Sequence, residues 1–169
     1  MLAEILVLGA LPLLLVAAAG WDVASFTIPN FVTLTLMAAF AAFALAAGLS
    51  TADIGWHVLA GFMGLFLGFT LFALGFIGGG DAKLFAAVLL WLGLKDFLPY
   101  ALLASLFGGV LTVGLMLLRQ CPLPSLLSRQ GWIVKLHDTR SGVPYGVALA
   151  AGAFFLLPST EIFRLAASA

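Results

Sequence analysis

Charge is scarce in this chain. Only 8% of its 169 residues are Asp, Glu, Lys or Arg, about a third of the share that a soluble domain carries. A water-soluble surface is therefore excluded. Seven basic residues balance seven acidic ones, so no net field favours a polyanion and no nucleic-acid partner is expected. The single cysteine, Cys121, excludes an internal disulfide and any zinc site built on paired CxxC thiolates. Neither a metal nor another cofactor is expected.

Apolar residues are what the chain has instead. They make up 64% of it, in runs that recur at about the 18 residues or more of a transmembrane helix. This pattern predicts an all-α integral membrane protein: one domain over 1–169, a bundle of about six transmembrane helices. The spans read as Leu2 to Ala19, Phe31 to Leu49, Ile54 to Ile77, Ala82 to Leu94, Phe97 to Leu118 and Val143 to Phe163. The first could be taken for a secretory signal, since its Leu-rich core ends in Ala17-Ala18-Ala19-Gly20. A signal wants a positive start, however, and the only early charge is Glu4, so the segment reads as a permanent helix.

One connection is long. It runs from Arg119 to Gly142 and holds Arg119, Arg129, Lys135 and Arg140 against one acid, Asp138. The positive-inside rule makes that loop cytoplasmic. Its mixture of Leu126, Leu127, Trp132, Ile133, Val134 and Leu136 with basic residues suits a segment on the membrane surface. Alternation of sides then puts the stretches carrying Asp22 and Asp81 on the same cytoplasmic face. Both termini, the Ser50 to Asp53 turn and the Lys95-Asp96 turn fall on the other face.

Asp81 closes Gly78-Gly79-Gly80-Asp81, a short Gly-rich break before the fourth helix. From Ala82 to Leu94 is thirteen residues, about 20 Å of helix against a hydrocarbon core of about 30 Å. Asp81 is thus expected below the membrane surface, with the glycines supplying a tight, φ-positive path. An acid at that depth is a functional-site hypothesis that needs a partner. The partner expected is Asp22, in Trp21-Asp22-Val23-Ala24-Ser25-Phe26-Thr27-Ile28-Pro29-Asn30. Elsewhere, Gly61, Gly64, Gly68 and Gly75 on the third span, and Gly108, Gly109 and Gly114 on the fifth, read as close-packing positions. Trp56 and Tyr100 read as interfacial anchors.

Two nearby carboxyls cannot both ionise comfortably and share a proton. One then serves as base, taking a proton from a water that attacks a peptide carbonyl. The other, protonated, stabilises the oxyanion and helps the amine leave. Simpler roles stand beside this one. Asp81 precedes a helical run and fits an N-cap; Asp22 fits a turn at the interface, and Ile28-Pro29-Asn30 fits a plain helix start.

The two stretches resemble the prepilin peptidases of type IV pilus systems, GxGD membrane aspartyl proteases. In that family one catalytic aspartate precedes an Ile-Pro-Asn and the other closes a GxGD followed by Ala-Lys. Here Asp22 stands six residues before Ile28-Pro29-Asn30, and Gly78-Gly79-Gly80-Asp81-Ala82-Lys83-Leu84 gives the second motif in full. Val143-Pro144-Tyr145-Gly146 is similar to the family's Pro-Tyr-Gly segment opening the last helix. One departure is that family members often carry basic residues between the first aspartate and Ile-Pro, where this chain has Val23-Ala24-Ser25-Phe26-Thr27. The resemblance implies catalysis by Asp22 and Asp81, with Ile28, Pro29, Asn30, Gly78, Gly79, Gly80, Lys83, Pro144, Tyr145 and Gly146 as supporting motif residues. It implies prepilin substrates with a basic leader and a hydrophobic N-terminal helix, cut at the cytoplasmic face of the inner membrane, with membrane lipid as a further partner. Larger members carry an insertion with paired CxxC motifs associated with N-methylation. Its absence makes this chain similar to the small, peptidase-only members serving Tad or Flp pili.

Two other readings remain at this stage: another GxGD-type intramembrane protease, and a small proton-coupled transporter using the aspartates as a relay. The second wants polar residues along several spans, which the second, fifth and sixth lack. Lys83 lies two positions from Asp81 and reads as facing the cytoplasm, since such residues do not share a helix face. His57 reads as interfacial, His137 and Asp138 as solvated, and Glu161 with Arg164 as an i, i+3 pair.

Overall fold

The computed structural model describes residues 1–167. Among them every regular element is a helix and none is a strand. Helix α1 runs over Leu2–Ser25, α2 over Asn30–Ala46, α3 over Thr51–Ala73, α4 over Gly79–Leu92, α5 over Phe97–Leu118, α6 over Gly131–His137, α7 over Tyr145–Leu156 and α8 over Glu161–Ala167. Three stretches, Leu2–Ser25, Thr51–Ala73 and Leu94–Leu118, are long and apolar enough to cross a membrane. The last expected span becomes a fourth if α7, the turn through Ser159 and α8 count as one, bent by 58°. The other two expected spans are helices of 17 and 14 residues, α2 and α4.

Helix α4 is the axis of the bundle. Trp91, Leu84, Leu89 and Val88 are almost wholly inaccessible, and the Trp91 indole donates to the Leu36 carbonyl of α2 at 2.9 Å. Phe40 and Phe43 close around that ring. On its other side α4 meets α3 at backbone distance. A Cβ on Gly68 would lie 3.0 Å from the Ala82 Cα, and one on Gly64 would lie 2.6 Å from a Leu89 methyl. The small-xxx-small spacing on α3 thus marks a true helix contact, in which backbone-to-backbone van der Waals packing replaces a hydrophobic driving force. Outward, α5 shows Leu98, Leu102, Leu106, Val110, Val113 and Leu117, all more than half exposed. Helical spacing puts these on one face, which fits contact with lipid.

Several expectations change. Helix α1 continues past Ala19 to Ser25, so Asp22 sits in its last turn and not in a loop. The glycine triplet is not a φ-positive path: Gly78 is extended at φ −74°, and Gly79 and Gly80 are helical. The left-handed residue in that connection is Gly75, at φ 78°, which caps α3 with open space around it. Tyr100 is no anchor; it is fully buried, stacked on Phe85, and its hydroxyl donates to the Leu149 carbonyl at 3.2 Å. Of the α5 glycines only Gly108 is packed, against the Tyr145 ring. Glu161 pairs with Lys95 at 2.8 Å rather than with Arg164, because the Pro158-containing turn redirects α8.

The α3–α4 contact generates a test. Gly68→Ala should cost about 1–3 kcal/mol through overpacking against Ala82, whereas Gly109→Ala, with nothing within 4 Å, should be neutral or slightly stabilising. Thermal unfolding in detergent, followed by circular dichroism, compares them.

Candidate active site

Three separate segments meet at the end of the bundle that carries the 119–142 loop. The first is the last turn of α1 with the link to α2. Asp22 is 4% exposed, and its main-chain carbonyl accepts from Phe26 N at 2.7 Å, closing the helix on a left-handed Phe26 at φ 58°. This cap turns the chain into Thr27 and buried Ile28, and Pro29, extended at ψ 142°, launches α2. Proline suits that place, where a helix start would leave its N–H unsatisfied in any case.

The second segment is the start of α4. Asp81 stands in its first turn, 7% exposed, and its Oδ2 accepts from Gly78 N at 3.0 Å. The cap expected of Asp81 is therefore present, made from within the first turn and not from the residue before it. It uses one oxygen only. The other, Oδ1, is buried without a hydrogen-bond partner among the described residues. A buried carboxylate oxygen left bare is costly, so a proton, a polar neighbour or a solvent molecule belongs there.

The third is the start of α7. Pro144 precedes the helix, and the Gly146 N–H points back across the bundle to Asp22 Oδ2, 2.6 Å away. The Asp81 carboxyl lies close enough to Asp22 to feel its charge, so α1, α4 and α7, although far apart in sequence, bring the two acids to one place. Tyr145 turns the other way, its ring on Gly108 and its hydroxyl 3.5 Å from that of Thr112.

Three of the glycines here, Gly146, Gly80 and Gly78, are demanded by proximity. A Cβ on Gly146 would fall 2.9 Å from Asp22 Oδ2 and 3.0 Å from Ile28 Cδ1; one on Gly80 would fall 3.1 Å from the Ile28 nitrogen. Ile28 is therefore a wedge between α4 and α7. Gly78 has a Cβ direction aimed at Asp81 Oδ2, 2.9 Å away, and Gly79 lies against the Phe72 ring. Lys83 does not join the acids. Its amine donates to Asn30 Oδ1 at 2.9 Å, tying α4 to the start of α2.

Sequence reasoning missed Phe26 and Lys135. From the loop, Lys135 donates to the Ser25 carbonyl at 2.9 Å and sits 4.9 Å from the Phe26 ring centroid. Arg119 fastens the loop by donating to the Leu136 and Gly142 carbonyls. His137 is half-buried, its Nδ1 without a partner among the described residues, which replaces the solvated position expected of it. Asp138 is exposed and takes the Arg140 N–H. His57 binds the Leu90 carbonyl and packs on Phe40 at the opposite end. Among the described residues no three His, Cys, Asp or Glu side chains gather as a metal ion would need.

Several helices long and apolar enough to cross a membrane, packed around a buried pair of acids, define a multi-pass membrane protein. The family follows from the sequence match: the model of the type IV leader peptidase family covers residues 9–113, and the chain belongs to that family and is a peptidase of its kind. The matched region includes Asp22, Ile28-Pro29-Asn30 and Gly78 to Leu84, and stops short of Pro144-Tyr145-Gly146. No curated protein and no solved structure matches the chain.

Gly146→Ala tests the crowding directly. The added methyl must push Asp22 or Ile28 aside, and a displacement of about 1 Å at a reacting group costs on the order of 100-fold in rate. Peptidase activity should fall by about that factor with helix content unchanged, both measured on the purified protein.

Proposed function

We propose that this protein is an aspartic endopeptidase that removes the leader from type IV prepilins, with Asp22 and Asp81 as its catalytic pair and residues 1–169 acting as one peptidase domain. The observation that carries this reading is the meeting of two buried acids from different helices, Asp22 held by the Gly146 amide and Asp81 by that of Gly78. A merely structural acid needs no such neighbour, and bringing a second carboxyl to it raises the cost of burial.

The chemistry follows from one proton held between two carboxyls. The ionised member accepts a proton from water, and the water oxygen bonds to the scissile carbonyl carbon. The protonated member donates to the oxygen that gains charge. When the C–N bond breaks, the amine leaves with a proton from the pair, and the new carboxyl terminus keeps the water oxygen. Backbone amides of Gly78 and Gly146 hold one oxygen of each acid, which fixes both groups without consuming all their lone pairs. Neither acid is assigned as base, since the pair titrates as a unit.

The 119–142 loop supports a cytoplasmic orientation. It carries four basic residues and lies at the same end as the acids, as the positive-inside rule requires of a cytoplasmic face. A prepilin with a basic leader and an apolar helix would then present its junction at the level of Asp22 and Asp81, in the inner membrane. The same loop, the longest connection, holds one cysteine and no CxxC pair, which supports cleavage without N-methylation, as in Tad or Flp systems.

The test is the N-terminal mass of a prepilin co-expressed with the wild type, Asp22→Asn or Asp81→Asn at matched protein levels. The wild type should leave an unmethylated mature terminus and each variant an intact leader. Survival of cleavage in either variant would sink the dyad. Initial rates on a leader-containing peptide should also trace a bell against pH, falling where the pair holds two protons and again where it holds none.

A further inference from the structure

The segment between Asp22 and Ile28 holds no basic residue of its own, yet a cation reaches it from 110 positions away. We propose that Lys135 is a positioning residue for Asp22: reaching from α6, it clamps the left-handed cap that ends α1 and so holds the turn that sets Asp22 against Gly146 and Ile28 against Gly80. The proposal rests on the reading of Asp22 as one of the catalytic pair.

Three observations converge on it. First, Phe26 is the one residue other than glycine at positive φ among those described. In that region a side chain's Cβ crowds the following carbonyl oxygen, a conformation that persists only where its surroundings hold it. Secondly, both Lys135 contacts fall on this cap: its amine donates to the Ser25 carbonyl and lies over the Phe26 ring. Ser25 is the last residue of α1, so the ammonium also meets the negative end of the helix dipole. Thirdly, the loop is anchored from below by Arg119, which takes the Leu136 and Gly142 carbonyls on either side of the α6 terminus. Lys135 therefore extends from a tethered base.

The consequence passes through the backbone. The Phe26 N–H closes on the Asp22 carbonyl, so the cap is continuous with the residue that bears the carboxyl. If the cap opens, the last turn of α1 frays, Ile28 withdraws from its place between Gly80 and Gly146, and the Asp22 carboxyl loses its fixed direction. Ser25 adds a smaller restraint, its hydroxyl bonding the Trp21 carbonyl within the same turn. Lys135 touches neither carboxyl, so its effect is on the aim of Asp22 and not on the reaction itself.

Hydrogen exchange of the full-length protein in detergent micelles, followed by mass spectrometry over residues 22–28, tests this without any substrate. Loss of a charge-assisted hydrogen bond and a cation–π contact should speed exchange there by about tenfold in Lys135→Ala and by less than about twofold in Lys135→Arg, which keeps both. Unchanged exchange in Lys135→Ala would overturn the proposal. Cleavage of a synthetic peptide with a basic leader and an apolar helical segment supplies the second arm. Lys135→Ala should lower kcat with KM little altered, Lys135→Arg should restore it, and the loss should largely vanish in a Phe26→Gly background, where glycine adopts the cap unaided. A loss confined to KM and equal in both backgrounds would mean that Lys135 contacts substrate instead. Should either Asp22→Asn or Asp81→Asn remain active, the catalytic reading falls, while the exchange arm still decides whether Lys135 holds the cap.

Discussion

Burial of two carboxyl groups in one place, each held by a backbone amide, is the constraint that organises this molecule. An acid withdrawn from water must be neutralised or hydrogen-bonded, and only backbone N–H groups are at hand where the side chains are hydrocarbon. Gly146 and Gly78 supply them. A backbone donor is fixed in place by the helix that carries it, so the position of each acid becomes a property of helix packing. Helix α7 must bring its first turn to α1, and α4 must bring its own to the α1–α2 link. Neither approach leaves space for a side chain at Gly146 or Gly80.

The rest of the bundle fixes α4 in that place. With α3 in backbone contact on one flank and the Trp91 indole pinned to α2 on another, α4 has little freedom to slide, and Asp81 moves only if the whole core moves. Lys83 and Asn30 tie the first turn of α4 to the first turn of α2. Within the motif, then, the lysine that follows the acid works on scaffold geometry, and the asparagine of Ile-Pro-Asn is its receiver. The two motifs depend on each other through that bond and through the Ile28 wedge.

The class of protein and the order of the motifs were legible in the sequence, because composition and apolar run length depend on solvent and not on tertiary detail. Asp22 and Asp81 were legible for the same reason, as acids beside hydrocarbon. What was not legible is what each local pattern serves once helices pack. Three consecutive glycines read as backbone freedom, but two of them, Gly78 and Gly80, are there because the Asp81 carboxyl and Ile28 come too close for a Cβ. Tyr100 near a helix end read as an interfacial ring; which way that end faces depends on Leu149 and Phe85, contributed by other helices. Glu161 and Arg164 are correctly spaced for a helical pair, yet Lys95 lies nearer once the chain bends at Pro158. Phe26 gave no signal at all, since a left-handed turn is usually announced by glycine or asparagine.

That last case bears on how such a site tolerates its own strain. A glycine at position 26 would adopt the cap without strain, but it would offer the loop no ring to hold. A phenylalanine held there by a cation restricts the turn to one shape, and the ring gives the loop helix something to grip. The cost of the left-handed residue, about 1–2 kcal/mol, is comparable to what the cation–π contact and the charge-assisted bond return. The turn that aims Asp22 is therefore near balance with Lys135 in place and strained without it, so it stays closed while the basic loop is seated on it. In this architecture the loop is a structural part of the site, although it carries neither acid.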